Sequence, residues 1–421
     1  MVANSFVPLP DPQVVVCDGT EVPMILGAIR DGLAGMNRAP IFVVGPNVSP
    51  ADTLHEVRQV GYPHGTGVLM RTSGSTSGTG KIVALSWESL CASAAATHAA
   101  LAGPGRWLAD LPVFHIAGFQ TLVRSVLAGT EPLRISLAEL LADPEVLKLG
   151  EPGQPTYCSV VPTQLSRIVG SPQLHDAARK LIFLVGGAAT SGALLERARE
   201  AGLTVHTSYG MTETCGGCVY DGWPIGDAVV SLSERGQVSL TGSMVALGYL
   251  PTPSSNVASD ADTASHTDAD VAGIFPSGPA GTIRTHRTRD LGEFGPQGDL
   301  RILGRTDDAI TTGGLTIIPR IVEETLEREL GTTVVVIAIA DDEWGQSAIA
   351  IVDIPQHELP PERQEMLRMH VKRVLGTGWQ PRQILPLSTL KYSAWPQTAS
   401  GKIDRRTIAR QASIYFLYGN S

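Results

Sequence analysis

The chain has 421 residues, 43% of them apolar, which is too long for one ordinary core and enough to fill two or three domains. A formal net charge of −9 and a pI near 5.6 argue against nucleic acid or an anionic membrane as the main partner. No uninterrupted apolar window of about 18 residues occurs, so no membrane span is expected.

The start, Met1-Val2-Ala3-Asn4-Ser5-Phe6-Val7-Pro8, lacks the basic end and apolar core of a secretion signal, which makes the cytoplasm the expected location. Val22, Ile25, Leu26, Ile29 and Leu33 recur at helical spacing and run to Gly35. Residues 41–44 read as a buried strand and 51–60 as a short helix. This alternation predicts an α/β fold with parallel-rich sheets. The apolar run 67–70 leads into a loop rich in Gly, Ser and Thr at 71–81, and an amphipathic segment follows over 86–101. A strand is expected over 107–111, and residues 112–118 turn the chain into an apolar helix that reaches Ala128.

The most informative unit spans 181–213. A continuous apolar strand, 181–185, ends at Gly186-Gly187-Ala188; a helix over 191–201 leads to a second strand, 203–207, and then to a loop, Ser208-Tyr209-Gly210-Met211-Thr212-Glu213. Two parallel strands joined by a helix put both following loops on one carboxyl edge, where open α/β sheets bind ligands. Gly186-Gly187 and the Tyr209–Glu213 loop should therefore be neighbours. Residues 228–250 read as a small β subdomain with turns at Gly236, Gly242 and Gly248. The stretch 252–282, rich in Ser, Thr, Ala, Asp, Pro and Gly, reads as a mobile surface insertion. A shorter α+β pattern closes the chain: a helix over 319–330, β runs over 333–340 and 347–352, and a helix over 361–375. The boundary is expected at Gly304-Arg305-Thr306-Asp307-Asp308, giving a large domain over 1–304 and a small mobile one over 305–421.

The loop Arg71–Lys81 holds six hydroxyl residues, three glycines and a lysine in eleven positions. Backbone N–H groups and hydroxyls at that density can wrap phosphate oxygens, with Lys81 adding a point charge. It is not a Walker A loop: Ser75 stands where that motif needs its first glycine, and Ile82 where it needs a hydroxyl. A plain flexible linker is the competing reading. The five cysteines are read as reduced thiols, and Cys215-x-x-Cys218 has no second Cys/His pair nearby to make a zinc site.

Four stretches occur in one order: the Gly/Ser loop, Tyr209-Gly210-Met211-Thr212-Glu213, Gly304-Arg305-Thr306-Asp307-Asp308, and Thr398-Ala399-Ser400-Gly401-Lys402-Ile403. Together they resemble the adenylate-forming superfamily of acyl-CoA synthetases, peptide-synthetase adenylation domains and luciferases. The resemblance implies the adenylating-enzyme fold and ATP, Mg²⁺ and coenzyme A as cofactor and co-substrates. It implies that Thr72, Ser73, Gly74, Ser75, Thr76, Gly78 and Lys81 hold ATP phosphates. Gly186, Gly187, Ala188, Ser208, Tyr209, Gly210 and Met211 would line the adenine, and Asp290 with Arg305 the ribose. Thr212 would meet the α-phosphate and Glu213 the metal. Asp307 would be the hinge, Gly314 would flank the CoA tunnel, and Lys402 would be the lysine essential for adenylation. Arg289 departs from the pattern, standing where the family has glycine.

His115-Ile116-Ala117-Gly118 resembles the H-x-x-G motif of CoA ligases, where His115 and Gly118 border the acyl pocket. Nine residues on, Arg124 lies in an otherwise apolar helix, where an unpaired cation is costly and should meet an anion. A structural salt bridge is one reading; a second carboxylate on the substrate is the other. The spacing from His115 to Arg124 and the run over 209–220 resemble the o-succinylbenzoate–CoA ligases of menaquinone biosynthesis, whose substrate is a dicarboxylate. The resemblance also implies a homodimer. The rivals are a ligase for a simple aryl or fatty acid and a non-catalytic nucleotide-binding scaffold.

Overall fold

The computed structural model describes residues 9–36, 39–72, 80–143, 145, 153–251, 283–341, 343–398 and 401–418. Two layered sheets build the larger part. The first, in spatial order Gln13–Val16, Ile41–Val44, Val68–Arg71, Ile82–Leu85 and Gly248–Tyr249, pairs parallel across its first three strands. It turns antiparallel at Ile82–Leu85, so this sheet is mixed where alternation alone predicts parallel pairing. The reason is local. The Gly/Ser loop returns the chain directly beside Val68–Arg71, and a direct return must pair antiparallel.

The second sheet runs Trp223–Pro224, Gly216–Tyr220, Thr204–Met211, Ile182–Val185, Thr156–Val160 and Arg106–Leu108, the last four parallel. Helices Trp87–Ala100 and Ile116–Leu127 pack between the sheets. Leu90, Ala94, Phe119, Leu122 and Val123 are buried there with residues of the first sheet. The strand expected over 107–111 ends at Leu108.

The expected loop after Thr207 is instead strand. Thr204–Met211 leaves Ile182–Val185 after Thr207 and continues, now antiparallel to Gly216–Tyr220, with a register shift between Tyr209 and Gly210. Only Thr212–Thr214 forms a turn, closed by left-handed Cys215 and Gly216. Gly210 permits the pairing, since a Cβ there would lie 2.6 Å from the Gly217 Cα. A third, antiparallel sheet carries Val229–Leu232, Gln237–Gly242, Arg284–Phe294 and Leu300–Arg305. The expected insertion over 252–282 lies outside the described residues.

The C-terminal part is a three-stranded sheet, Val334–Asp341, Gly345–Val352 and Gln383–Pro386, with helices on both faces. Strand periodicity assigns the faces. Val334, Val336, Ala348, Ala350 and Val352 pack with Val322 and Leu326 of helix Pro319–Leu330 and with Leu367 and Val371 of helix Pro361–Leu375. Val335, Ile337, Ile339, Ile349 and Ile351 pack with Ile408 and Ala412 of helix Arg405–Tyr418. Among the described residues no helix is long and apolar enough to cross a membrane.

Candidate active site

Side chains from three sheets and the C-terminal tail meet at the carboxyl edge of the second sheet. Gly186 backs onto the Ser208 carbonyl, and a Cβ on Gly186 would lie 3.1 Å from that oxygen, so the two chain ends do adjoin. Ala188 is exposed beside Gly187, and the Met211 N–H donates to Thr214 Oγ1 at 3.0 Å, tying the strand end to the turn.

The Tyr209 hydroxyl donates to Asp290 Oδ2 at 2.7 Å. Asp290 stands opposite Arg305 in the strand pair, and Arg305 Nη1 donates to Asp290 Oδ1 at 3.2 Å. Burial pushes the Asp290 carboxyl up, against the pull of Tyr209 and Arg305. Arg305 also grips Asp307 bidentately, Nε to Oδ1 at 2.8 Å and Nη2 to Oδ2 at 2.9 Å, which raises the guanidinium further. Burial opposes ionisation of Asp307, yet its carboxyl is held low by Arg305 and by Arg289, 3.5 Å away.

Glu213 lies 8% exposed in the turn, next to Thr212, and accepts from the Tyr249 hydroxyl. Lys81 Nζ sits 5.0 Å above the Tyr249 ring and His286 meets that ring edge-on. The neck of the Gly/Ser loop is closed by Thr72 N–H to the Lys81 carbonyl at 2.9 Å and Lys81 N–H to Thr72 Oγ1 at 3.1 Å. Ser73, Gly74, Ser75, Thr76 and Gly78 lie outside the described residues.

Lys402 reaches into this edge from the tail. Its Cε lies 3.1 Å from where a Cβ on Gly187 would sit, so glycine at 187 leaves room for it. Burial lowers the Lys402 ammonium, and Arg305 lowers it further. His115, which opens helix Ile116–Leu127, is pushed down to about 4 by burial and then by Lys402, so its ring is neutral near pH 7. Gly118 allows that helix to press on the preceding turn; a Cβ there would lie 2.5 Å from the Leu111 carbonyl oxygen.

Arg124 is 3% exposed. Its guanidinium stacks 4.5 Å over the Trp107 ring, and Nη2 lies 3.4 Å from the Tyr220 hydroxyl, a long contact. Its Nε has no hydrogen-bond partner, and no carboxylate pairs with it among the described residues. Burial holds the guanidinium below its usual value, and Arg124 helps burial hold neighbouring His98 at about 4. Among the described residues, the salt-bridge reading of Arg124 therefore finds no counter-ion. Gly314 stands apart from these groups, in the hairpin between Ile310–Thr312 and Leu315–Ile317, with nothing within 4 Å of a Cβ built there. The C-x-x-C cysteines are both buried, with thiols raised by burial, and no group of three or more His, Cys, Asp or Glu could hold a metal among the described residues.

Sequence reasoning passed over Tyr249, His286, Tyr220 and His98. His286 had a signal: Arg284, His286, Thr288 and Asp290 alternate on one buried face of one strand. The others face the site only through contacts between distant segments.

Known proteins resemble this chain in sequence and in fold. The family described as AMP-binding enzyme matches residues 44–249. A protein of Mycobacterium tuberculosis called probable 2-succinylbenzoate–CoA ligase is 32% identical over 400 residues, covering 93% of this chain and 96% of the relative. A 2-succinylbenzoate–CoA ligase of Listeria monocytogenes is 30% identical over 363 residues, covering 82% and 70%. Among solved structures, o-succinylbenzoate coenzyme A synthetase of Bacillus subtilis in complex with ATP and magnesium superposes with a TM-score of 0.65 at 20% identity, over 96% of this chain and 97% of that one. Wild-type MenE of E. coli, with a bound phenylether-linked analogue of OSB-AMS, also gives 0.65, at 21% identity over 96% and 89%. At such identities these superpositions establish the two-domain fold.

Proposed function

The chain belongs to the AMP-binding enzyme family, and from that premise we propose that it is an AMP-forming acid–thiol ligase for 2-succinylbenzoate. It activates that acid with ATP and passes the acyl group to coenzyme A, a step of menaquinone biosynthesis in the cytoplasm, acting as a homodimer. The observation that carries the substrate is Arg124: a buried, stacked guanidinium with a free Nε and no carboxylate partner among the described residues, in the helix that His115 opens. An ion so placed calls for an anion, and the aromatic carboxylate of 2-succinylbenzoate supplies one.

The chemistry follows from the groups at the edge. A carboxylate attacks the α-phosphorus of ATP, forming the acyl–phosphate bond as the bond to pyrophosphate breaks. Anions converge in that step, and the Lys402 ammonium offsets them in a partly buried site where charge interactions are stronger. Tyr209 stacks on the adenine, and Asp290 takes the ribose hydroxyls, its position set by Arg305. Thr72 and Lys81, at the neck of the Gly/Ser loop, meet the outer phosphates. Mg²⁺ keeps much of its shell from water and phosphate, so the single carboxylate of Glu213, steadied by Tyr249, fits it. When bound, the ion would neutralise phosphate charge. The coenzyme A thiol then attacks the acyl carbon and AMP leaves. Lys402 serves the first half-reaction and the Gly314 face the second, with the lid over 305–421 turning about Asp307.

Acid-dependent ATP–pyrophosphate exchange with 2-succinylbenzoate, benzoate and a fatty acid tests this reading. Exchange with the dicarboxylate is expected. Exchange with the fatty acid alone would overturn the substrate, and exchange with none would favour a non-catalytic scaffold.

A further inference from the structure

Lys402 can act only if the short hairpin that carries it is held in place, and two sets of contacts around that hairpin have no part in the chemistry above. Within the hairpin, Gln397 bridges Ile403, and the Thr398 N–H donates to the Lys402 carbonyl at 2.8 Å. That ties the two sides of the hairpin together and leaves its orientation to its two ends.

The first set lies just after Lys402. Among the described residues Val334–Asp341 is an edge strand, and the Val336 N–H and C=O face away from its partner strand. Glu323, fully buried, accepts the Val336 N–H at 2.8 Å, and Arg405 Nη1 donates to the Val336 carbonyl at 3.2 Å. Arg405 Nη2 closes the ring onto Glu323 at 2.6 Å. The ion pair thus stands in for a missing strand neighbour. Because Arg405 begins the last helix, three residues past Lys402, this ring fixes where the hairpin leaves the small sheet.

The second set comes from the other side. Thr163, in the first turn of helix Pro162–Val169, donates from Oγ1 to the Gly401 carbonyl at 3.0 Å. Gly401 adopts φ +78°, and a Cβ there would press to 3.3 Å of Val161. So the residue before Lys402 sits against the helix that follows strand Thr156–Val160 of the large domain.

We propose that Thr163 and the Glu323–Arg405 pair are positioning residues for adenylation: the ion pair orients the Lys402 hairpin within the lid, and Thr163 seats it against the large domain. This rests on the reading of Lys402 as the lysine of the first half-reaction. The Thr163 contact joins the two domains, so it exists in the pose that brings Lys402 to Gly187 and is lost when the lid turns.

The test uses the full chain and two assays: pyrophosphate exchange with 2-succinylbenzoate, and coenzyme A-dependent turnover of chemically prepared acyl-adenylate. Thr163→Val is expected to lower the exchange kcat at least tenfold, with KM for ATP and acyl-adenylate turnover within twofold of the parent. Thr163→Ser, which keeps the hydroxyl, should restore exchange to within threefold. Glu323→Gln should show the same split between half-reactions together with a lower melting temperature; should it fail to fold, the Thr163 pair decides alone. Exchange by Thr163→Val within twofold of the parent, or a parallel fall in both assays, would overturn the proposal. Lys402→Ala is the control: if it retains exchange, the reading of Lys402 itself falls, and if it loses exchange while Thr163→Val does not, only this proposal does.

Discussion

Replacing Arg124 with methionine separates a structural role from a substrate-binding one. In an ordinary core, removing a large buried side chain costs about 2–5 kcal/mol. Arg124 should behave otherwise, because its own burial is already costly. An unsatisfied Nε costs about 1–3 kcal/mol, against roughly 1–2 kcal/mol returned by stacking on Trp107. The 3.4 Å contact with Tyr220 is too long to add much. Methionine fills most of the same space with no group to satisfy, so stability should change by no more than ~1 kcal/mol. Activity should change far more. Removing one partner of a desolvated charge pair costs about 2–5 kcal/mol. At ~1.4 kcal/mol per tenfold, that is from about thirtyfold to a few thousandfold in kcat/KM for 2-succinylbenzoate. A neutral aryl acid should lose little. Exchange kinetics with both acids, beside a thermal melt, make the measurement. A variant that loses more than about 3 kcal/mol of stability, with equal falls on both acids, would refute the reasoning.

Lys402→Ala should lower acyl-adenylate formation by about two to three orders of magnitude, read by exchange, while turnover of supplied acyl-adenylate continues. Tyr249→Phe frees Glu213 of its hydroxyl donor and should raise the Mg²⁺ concentration needed for half-maximal exchange; an unchanged metal titration would count against the Glu213 assignment. Gly210→Ala forces a methyl to within 2.6 Å of the Gly217 Cα and should destabilise by about 1–3 kcal/mol, seen as a lower denaturation midpoint. His98 sits near 4 when folded against 6.5 as a free group, so the unfolded chain binds its proton first. Its contribution is therefore fully present above pH 6.5 and lost as pH falls toward 4, by at most ~3 kcal/mol. His98→Gln should flatten the melting-temperature profile in that window, and parallel profiles would contradict the assignment.

Much of the fold is written in periodicity. Helices Pro319–Leu330 and Pro361–Leu375 lie where their patterns predict, and Ile41–Val44 and Ile182–Val185 are the apolar runs that read as buried strands. Strand Thr204–Met211 shows the limit. Ser208-Tyr209-Gly210 has the composition of a turn, yet it pairs with Gly216–Tyr220, a neighbour that satisfies its backbone groups as strand. The mixed first sheet has the same cause, since Ile82–Leu85 takes its direction from the return of the loop before it.

The resemblance of four short motifs to a known superfamily nominated Tyr209, Glu213, Arg305 and Lys402, and the spacing back from Arg305 added Asp290. Which groups touch was decided by tertiary structure alone. Tyr209 donates to Asp290, Tyr249 holds Glu213, and Lys402 lies over Gly187 because sheets far apart along the chain converge at one edge. The absence of a counter-ion beside Arg124, among the described residues, was equally beyond the sequence. An apolar helix can show that a cation will be buried; only the packing of three elements around it shows what is left for that cation to bind.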